Sequence, residues 1–398
     1  IFRDHFTGHF GETLRFQCFP FVQLIFMKRY LLPILMISFF LITGCSKDDP
    51  PVPGTEPVEQ PGWIVGADIS LLSRLRAAGA VYKNSDGMDV DVLPYFREKG
   101  FNYVRVRLFV NPDLQSSACQ DLPYVQDLIL KAKEKGYYVL LNFHYSDTWA
   151  DPGKQYKPVV WGHLGAEALA EKVYGYTKET LATLAKNGAA PQMIQIGNEI
   201  TNGMLWDSAR ADVWSQEWDT PGRWTYFCRV LSQASRACRE VCPNAWVMVH
   251  IDRGGDRETA LRFFNRMEQY RVDYDVIGLS YYPFWHGPLS GLRACLSGLQ
   301  MNFPGKKINL VEVAYPNNSW GIPDNASYIP DYPATPQGQA AFMKDFIDTL
   351  REFPNVNGFM YWYPEETYTP GRNVLTLHRG VFDIHTGRAL EVINTFSE

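Results

Sequence analysis

The sequence lacks a surplus of basic residues. Lys and Arg number 38 against 43 Asp and Glu, for a net charge of −5 and a pI near 6.0. That balance excludes the basic stripe of a nucleic-acid binder, and no nucleic acid is expected as a partner. Zinc-type cysteine spacing is also missing. Seven Cys are present, but no Cys-x-x-Cys pair is followed by a second ligand pair. The first strand-like run, "IVGADIS" (64–70), has no GxGxxG phosphate loop, which argues against a dinucleotide fold. Nor does it carry the paired His of a metal-dependent barrel hydrolase.

What is there begins with an export pattern. The chain does not start with Met, and residues 1–26 show no clear period; we expect them to be an upstream artefact, with Met27 as the start. From Met27 the pattern is "MKRYLLPILMISFFLITGCSKDDP". Lys28 and Arg29 form a positive region, and 31–42 an apolar one too short for a comfortable span. "ITGC" (42–45) resembles a bacterial lipobox, which implies a signal peptide at 27–44 and acylation of Cys45. The Lys47-Asp48-Asp49 that follows resembles the surface-export signal of Bacteroidetes lipoproteins, implying an outer-membrane, surface-exposed location. Residues 50–62, "PPVPGTEPVEQPG", hold five Pro and two Gly, the composition of an extended tether. The five Cys beyond it, Cys119, Cys228, Cys238, Cys242 and Cys295, are an odd number, and no specific disulfide is expected.

The remainder, 63–398, reads as one folded unit. Eight apolar runs lie at 64–69, 103–109, 138–143, 193–197, 246–251, 276–280, 308–311 and 358–362. Between them lie amphipathic stretches at 91–99, 122–135, 167–187, 222–241, 256–270, 289–299 and 336–353, and a last one at 389–396 closes the chain. Several stop at a Gly, the usual helix terminator. Strands alternating with helices mean parallel βαβ units, and eight of them predict a (β/α)8 barrel, a TIM barrel with a single catalytic domain. A doubly wound sheet is the runner-up.

In such a barrel the chemistry sits at the carboxyl ends of the strands. Here those ends read Asp68, then Arg105 and Arg107 on one face, Asn142 to Tyr145, Asn198-Glu199, His250 to Asp252, Ser280 to Tyr282, Glu312, and Tyr361-Trp362. Any one of these is unremarkable at a solvated strand end. Together they hold Arg, His, Asn, Glu, Tyr and Trp but no Lys, which points to a shared site. Glu199 and Glu312 follow strands four and seven, across the barrel mouth from each other. Two carboxyl groups flanking a cleft are what glycoside hydrolysis needs: one donates a proton, the other attacks or activates water. The richness in aromatics, 11 Trp and 22 Tyr, fits a large core or stacking surfaces for sugar rings.

Seven blocks in order carry a family resemblance: "GADIS" (66–70), "VRVRLFVNP" (104–112), "NFHYSDTWADPGKQ" (142–155), "QIGNEITNGMLW" (195–206), "DVIGLSYYPFWHG" (275–287), "VEVAYP" (311–316) and "GFMYWYPE" (358–365). The chain resembles glycoside hydrolase family 53, the endo-β-1,4-galactanases, within the clan of retaining (β/α)8 glycosidases. The resemblance implies an endo-acting enzyme on pectic galactan or type I arabinogalactan, with Glu199 as acid/base and Glu312 as nucleophile. It implies that Asn198 binds the sugar 2-hydroxyl and that an Arg at the end of strand two, Arg107 by position with Arg105 below it, keeps the nucleophile ionised. A Tyr after strand six does similar work, with Tyr281 and Tyr282 both open. By the same resemblance Asp68 belongs to the substrate site, His144 and His250 line the cleft, and Trp362 floors it. Trp149, Trp206 and Trp285 are candidate outer platforms. Val313 departs from the pattern, where a smaller or polar residue is expected. Some family members bind a structural calcium after strand seven. Asp324, Asn325 and Asp331 offer oxygens there without EF-hand spacing, so calcium is left open and no cofactor is predicted. The same catalytic machinery on another β-1,4-linked polysaccharide such as mannan, and a non-catalytic glycan-binding lipoprotein, are the alternatives. A surface glycan-uptake complex is a further partner to consider.

Overall fold

A computed structural model describes residues 59–370 and 375–397. The export segment, Cys45 and most of the Pro-rich tether lie outside the described residues. Among those residues no helix is long and apolar enough to cross a membrane.

Eight parallel strands close on themselves in sequence order: β1 Ile64–Asp68, β2 Tyr103–Leu108, β3 Tyr138–Phe143, β4 Met193–Ile196, β5 Trp246–Ile251, β6 Val276–Tyr281, β7 Lys307–Val313 and β8 Val356–Trp362. The expected barrel is present. Around it lie α1 Leu72–Ala77, α2 Val92–Glu98, α3 Leu122–Glu134, α4 Ala166–Lys186, α5 Pro221–Val241, α6 Arg257–Gln269, the short α7 Pro283–His286, α8 Leu289–Asn302 and α9 Pro336–Arg351. Helix starts share one chemistry. Asp121, Thr220, Asp256 and Thr335 each accept a backbone N–H of the first turn, satisfying donors that the helix itself leaves open. Gly100, Gly136 and Gly188 stop α2, α3 and α4 at positive φ.

Two corrections concern helices. The stretch 389–396 is not an α-helix: Ala389 still bridges Phe382, Leu390 is extended, and only a 3₁₀ segment Glu391–Phe396 follows. The segments α1 and α7 are additional; at six and four residues they are too short to show a helical period.

The barrel interior is graded. At its amino-terminal end Ile64, Tyr103, Leu140, Met193, Met248, Val276, Val311 and Met360 form a closed apolar plug. Two residues further along β2 to β5 the same inward face carries Arg105, Asn142, Gln195 and His250, and four residues further along β6 it carries Ser280, all buried. Strand alternation keeps the two layers in register. The outward faces pack against the helices in a second, larger apolar shell. Closure of β8 on β1 depends on Gly358 (φ +133°), where a Cβ would lie 2.0 Å from the Ile64 carbonyl oxygen. Strand β7 carries one extra residue: Gly278 pairs with Asn309, but Ser280 pairs with Glu312. This bulge breaks the two-residue alternation between Asn309 and Glu312, and the Glu312 side chain turns into the barrel mouth.

Candidate active site

At the carboxyl ends of the strands lies a cleft of about 800 Å³, lined from nearly every β-to-α connection. Glu199 and Glu312 both face it, with Asn198, His144, Arg105, Arg107, Tyr282 and the rings of Trp149, Trp285 and Trp362.

Strand β4 ends in a sharp reversal. Gly197 sits at φ +93° and Glu199 at φ 49° in the left-handed region. A non-glycine residue there is uncommon and is held by its surroundings. The neighbouring Asn198 donates to the Ala150 carbonyl at 2.9 Å and accepts from Arg105 Nη2 at 2.8 Å. Gln155 donates to the Asn198 carbonyl at 2.7 Å. The turn is therefore locked from both sides, which fixes the direction of the Glu199 carboxyl.

The two carboxyl groups have unequal company. Glu312 accepts from Arg105 Nη1 at 2.8 Å and from the Tyr282 hydroxyl at 2.9 Å. Glu199 accepts from the Ser280 hydroxyl at 2.6 Å, and among the described residues it forms no ion pair with Lys or Arg. Burial drives the Glu199 carboxyl well above its ordinary pKa, and the charges of Glu312, Asp252 and Asp151 add to that. Burial also raises Glu312, as does Asp68, but there Arg105 and Tyr282 pull the other way. Both carboxyls are raised, and the company of Arg105 and Tyr282 at Glu312 makes Glu199 the one that holds a proton more firmly. Burial and the two carboxylates keep the Tyr282 phenol protonated, so it donates. Burial, with Arg105 and Arg107 nearby, holds His144 well below its usual pKa and neutral. Its Nδ1 accepts from the Ala150 N–H at 3.2 Å, so Nε2 carries the hydrogen. One wall is aromatic: Trp149, Trp362, Tyr282 and Trp285 meet edge to face at 5.5–6.4 Å.

Several expected placements change. Arg105, not Arg107, holds Glu312; Arg107 lines the cleft, pairs with Asp68 at 3.2 Å and lies 4.3 Å from the Trp149 ring centre. Position along β2 had favoured Arg107, but Glu312 sits deeper than its place at a strand end suggests. Asp68 is 1% exposed and lies below the floor, bonded to both arginines and Ser70, so it is no substrate contact. His250 is likewise beneath the floor rather than on it, fully buried behind Glu199. Tyr282 is the inward tyrosine. Tyr281 points outward, stacks on Phe346 and donates to the Gly287 carbonyl at 2.7 Å. Trp206 lies outside the cleft, under Arg210. Val313 faces the apolar shell, where its size is at home. Of the calcium candidates, Asn325 accepts from the Trp285 indole at 3.0 Å. Asp331 lines a separate groove. Among the described residues no group of three or more His, Cys, Asp or Glu is gathered for a metal ion. The five described cysteines are buried free thiols.

The family model for glycosyl hydrolase family 53 matches residues 64–396. The chain belongs to glycosyl hydrolase family 53. It is 33% identical to an endo-β-1,4-galactanase of Bacillus subtilis, over 76% of this chain and 70% of that one. Among solved structures it is similar to an Ignisphaera aggregans GH53 catalytic domain, with TM-score 0.74, 34% identity, 87% of this chain and 98% of that one. A fungal β-1,4-galactanase structure matches with TM-score 0.73 and 28% identity, over 84% of this chain and 98% of that one. The protein is thus a glycoside hydrolase on a (β/α)8 barrel.

Reading the sequence missed some of this family member's cleft. Ser280 and Asp252 were visible as strand ends, but nothing marked them as partners of Glu199. Arg379 gave no signal, because the loop after β8 has no period. The structure places it against Tyr282 and Trp285, at 6.0 and 5.1 Å from their ring centres. Its segment is held by Glu366, whose carboxylate accepts the N–H groups of Leu377, His378, Arg379 and Gly380.

Replacing Arg105 tests the electrostatics directly. Arg105→Gln leaves Glu312 without its cation and Asp68 with only Arg107. At pH 7 we expect a loss of about 3–5 kcal/mol in denaturant unfolding. Without Arg105 the main influence that lowers the raised Glu312 pKa is gone, so the penalty should shrink as pH falls and Glu312 protonates. A penalty that grows toward acid would contradict this assignment of charges.

Proposed function

We propose that the protein is an endo-β-1,4-galactanase that cleaves pectic galactan or type I arabinogalactan by a retaining double displacement. The observation that carries the mechanism is the asymmetry of the two carboxyl groups: Glu312 is paired with Arg105 and Tyr282, whereas among the described residues Glu199 accepts from the Ser280 hydroxyl alone. The substrate is supported by the relatives named as galactanases.

In this reading Glu312 attacks the anomeric carbon while Glu199 passes its proton to the departing glycosidic oxygen. The C–O bond to the leaving sugar breaks and a glycosyl ester on Glu312 forms. Glu199, now ionised, takes a proton from water, which attacks the same carbon and releases Glu312 as carboxylate. Two inversions return the β configuration. Asn198, held by Arg105 and Ala150, is oriented for the 2-hydroxyl, a contact that strengthens as the ring gains positive charge. Trp362, Trp149 and Trp285 supply stacking faces. Activity needs Glu312 ionised and Glu199 protonated. The acid limb therefore belongs to Glu312 and the alkaline limb to Glu199, whose raised pKa moves that limb above the ordinary carboxylate range.

The comparison to make is of galactan, mannan and xylan with purified enzyme. Galactose oligomers from galactan alone, first appearing as the β anomer, are expected. Glu312→Ala should lower turnover by about 10⁴-fold with binding retained. Best cleavage of mannan would overturn the substrate, and substantial residual turnover the nucleophile.

The export pattern supports a location: acyl chains on Cys45 hold the enzyme on the outer membrane, facing out, with the Pro-rich segment as spacer, where a surface glycan-uptake complex could receive its products. More than one acyl chain is needed for stable anchoring. Cys45→Ala is expected to move the protein from the membrane to the soluble fraction. Unchanged membrane retention and surface labelling would rule the anchor out.

A further inference from the structure

We infer that His250 and Ser280 form a directed hydrogen-bond chain that fixes which oxygen of Glu199 carries the transferable proton, placing it on Oε2. This rests on the reading of Glu199 as the acid and deepens it.

The direction of the chain follows from donors that have no choice. The backbone N–H of Glu199 can only donate, and it points at His250 Nδ1 at 3.3 Å. The Gln195 amide nitrogen lies 2.9 Å from the same Nδ1. Gln195 is itself oriented, because its carbonyl oxygen accepts from Arg105 Nε at 3.2 Å and its nitrogen, which has no lone pair to accept with, shares its two hydrogens among the Gly197 carbonyl at 2.9 Å, Asn198 Oδ1 at 3.1 Å and His250 Nδ1. His250 Nδ1 is therefore an acceptor, and the ring hydrogen sits on Nε2. That N–H faces Ser280 Oγ at 2.9 Å. A serine hydroxyl that accepts from His250 keeps one hydrogen to give. It gives it to Glu199 Oε1 at 2.6 Å. Oε1 is thus occupied as an acceptor in both protonation states of Glu199. The acid's own hydrogen must sit on Oε2.

The chain is sealed. His250 and Ser280 are both fully buried, so no bulk water competes for the links. A second consequence concerns charge. The imidazole stays neutral because burial and the Arg105 cation both oppose its protonation. It therefore cannot act as a competing proton donor beside Glu199. Ser280 and His250 touch neither sugar nor reacting atoms in this account; they are positioning residues.

The groups facing Glu199 are Glu312 on β7, Asp252 after β5, Asp151 in the loop after β3, Tyr282 after β6, and the His250–Ser280 pair. Among the described residues Ser280 alone donates to its carboxylate, and that bond favours the ionised form. Removing it should therefore raise the pKa of Glu199 further. In Ser280→Ala the alkaline limb of kcat/KM is expected to move up by about one pH unit. With galactan kcat should fall about ten-fold while KM changes little. With an aryl galactobioside, whose phenolate leaves without a proton, the loss in the glycosylation step should be much smaller. Ser280→Thr keeps the hydroxyl and should restore both limb and rate. In wild-type protein with ¹⁵N-labelled histidine, the His250 signal, identified by its absence in His250→Gln, should show a neutral ring protonated at Nε2 throughout the active pH range.

An unmoved or lowered limb in Ser280→Ala, an equal loss for both substrates, or an Nδ1–H ring would overturn the chain. Glu199→Ala is run alongside to separate this from the larger reading. If Glu199→Ala still cleaves galactan well, the acid assignment fails and the chain with it. If Glu199→Ala is crippled but Ser280→Ala behaves as wild type, the chain alone fails.

Discussion

One buried guanidinium organises the mouth of this barrel. Arg105 is 1% exposed and spends its donors on Asp68, Glu312, Gln195 and Asn198. Burying a cation is costly unless nearly every N–H finds a partner of the right charge. Here two are carboxylates and two are amide oxygens, so the cation is matched in charge and geometry. The consequence reaches every functional group. Arg105 pulls Glu312 toward its ionised form, Asn198 is aimed, and Gln195 is oriented with its amide nitrogen toward His250. Glu199, left out of this set, is the group on which a proton is easiest to keep.

The backbone places these side chains by breaking its own regularity. The extra residue in β7 turns Glu312 inward against strict alternation. The left-handed turn at Glu199 brings its carboxyl over the opposite side of the mouth. The Glu366 carboxylate, gripping four successive N–H groups, holds the loop that brings Arg379 to the cleft. These three devices lie at the carboxyl end of the barrel, whereas the amino-terminal end is filled by a plain apolar plug. Stability and chemistry are thus separated along the strand axis, as is general in such barrels.

Much of this was legible in the residues, and the failures share a cause. Eight apolar runs, their glycine stops and the polar strand ends were enough for the barrel and for the position of Glu199 and Glu312 at its mouth. Depth was not legible. Asp68 and His250 face inward as alternation requires, but they sit one layer below the floor. Arg105 and Arg107 share a face, and the choice between them depends on strand stagger around the closed sheet, which no single strand records. Tyr281 and Tyr282 could have been separated from Ser280, since inward Ser280 makes Tyr282 inward too, but only once one residue of β6 is anchored. Arg379 lies in a loop where position comes from Glu366 rather than from any period. Cys45 and the export segment lie outside the described residues and rest on pattern alone.

The central claim is that the proton of the carboxyl pair belongs to Glu199 because Arg105 claims Glu312. Neutron diffraction from deuterium-exchanged crystals near neutral pH reads this directly. The account predicts a deuteron on Glu199 and none on either oxygen of Glu312. A deuteron on Glu312 with Glu199 bare would contradict it.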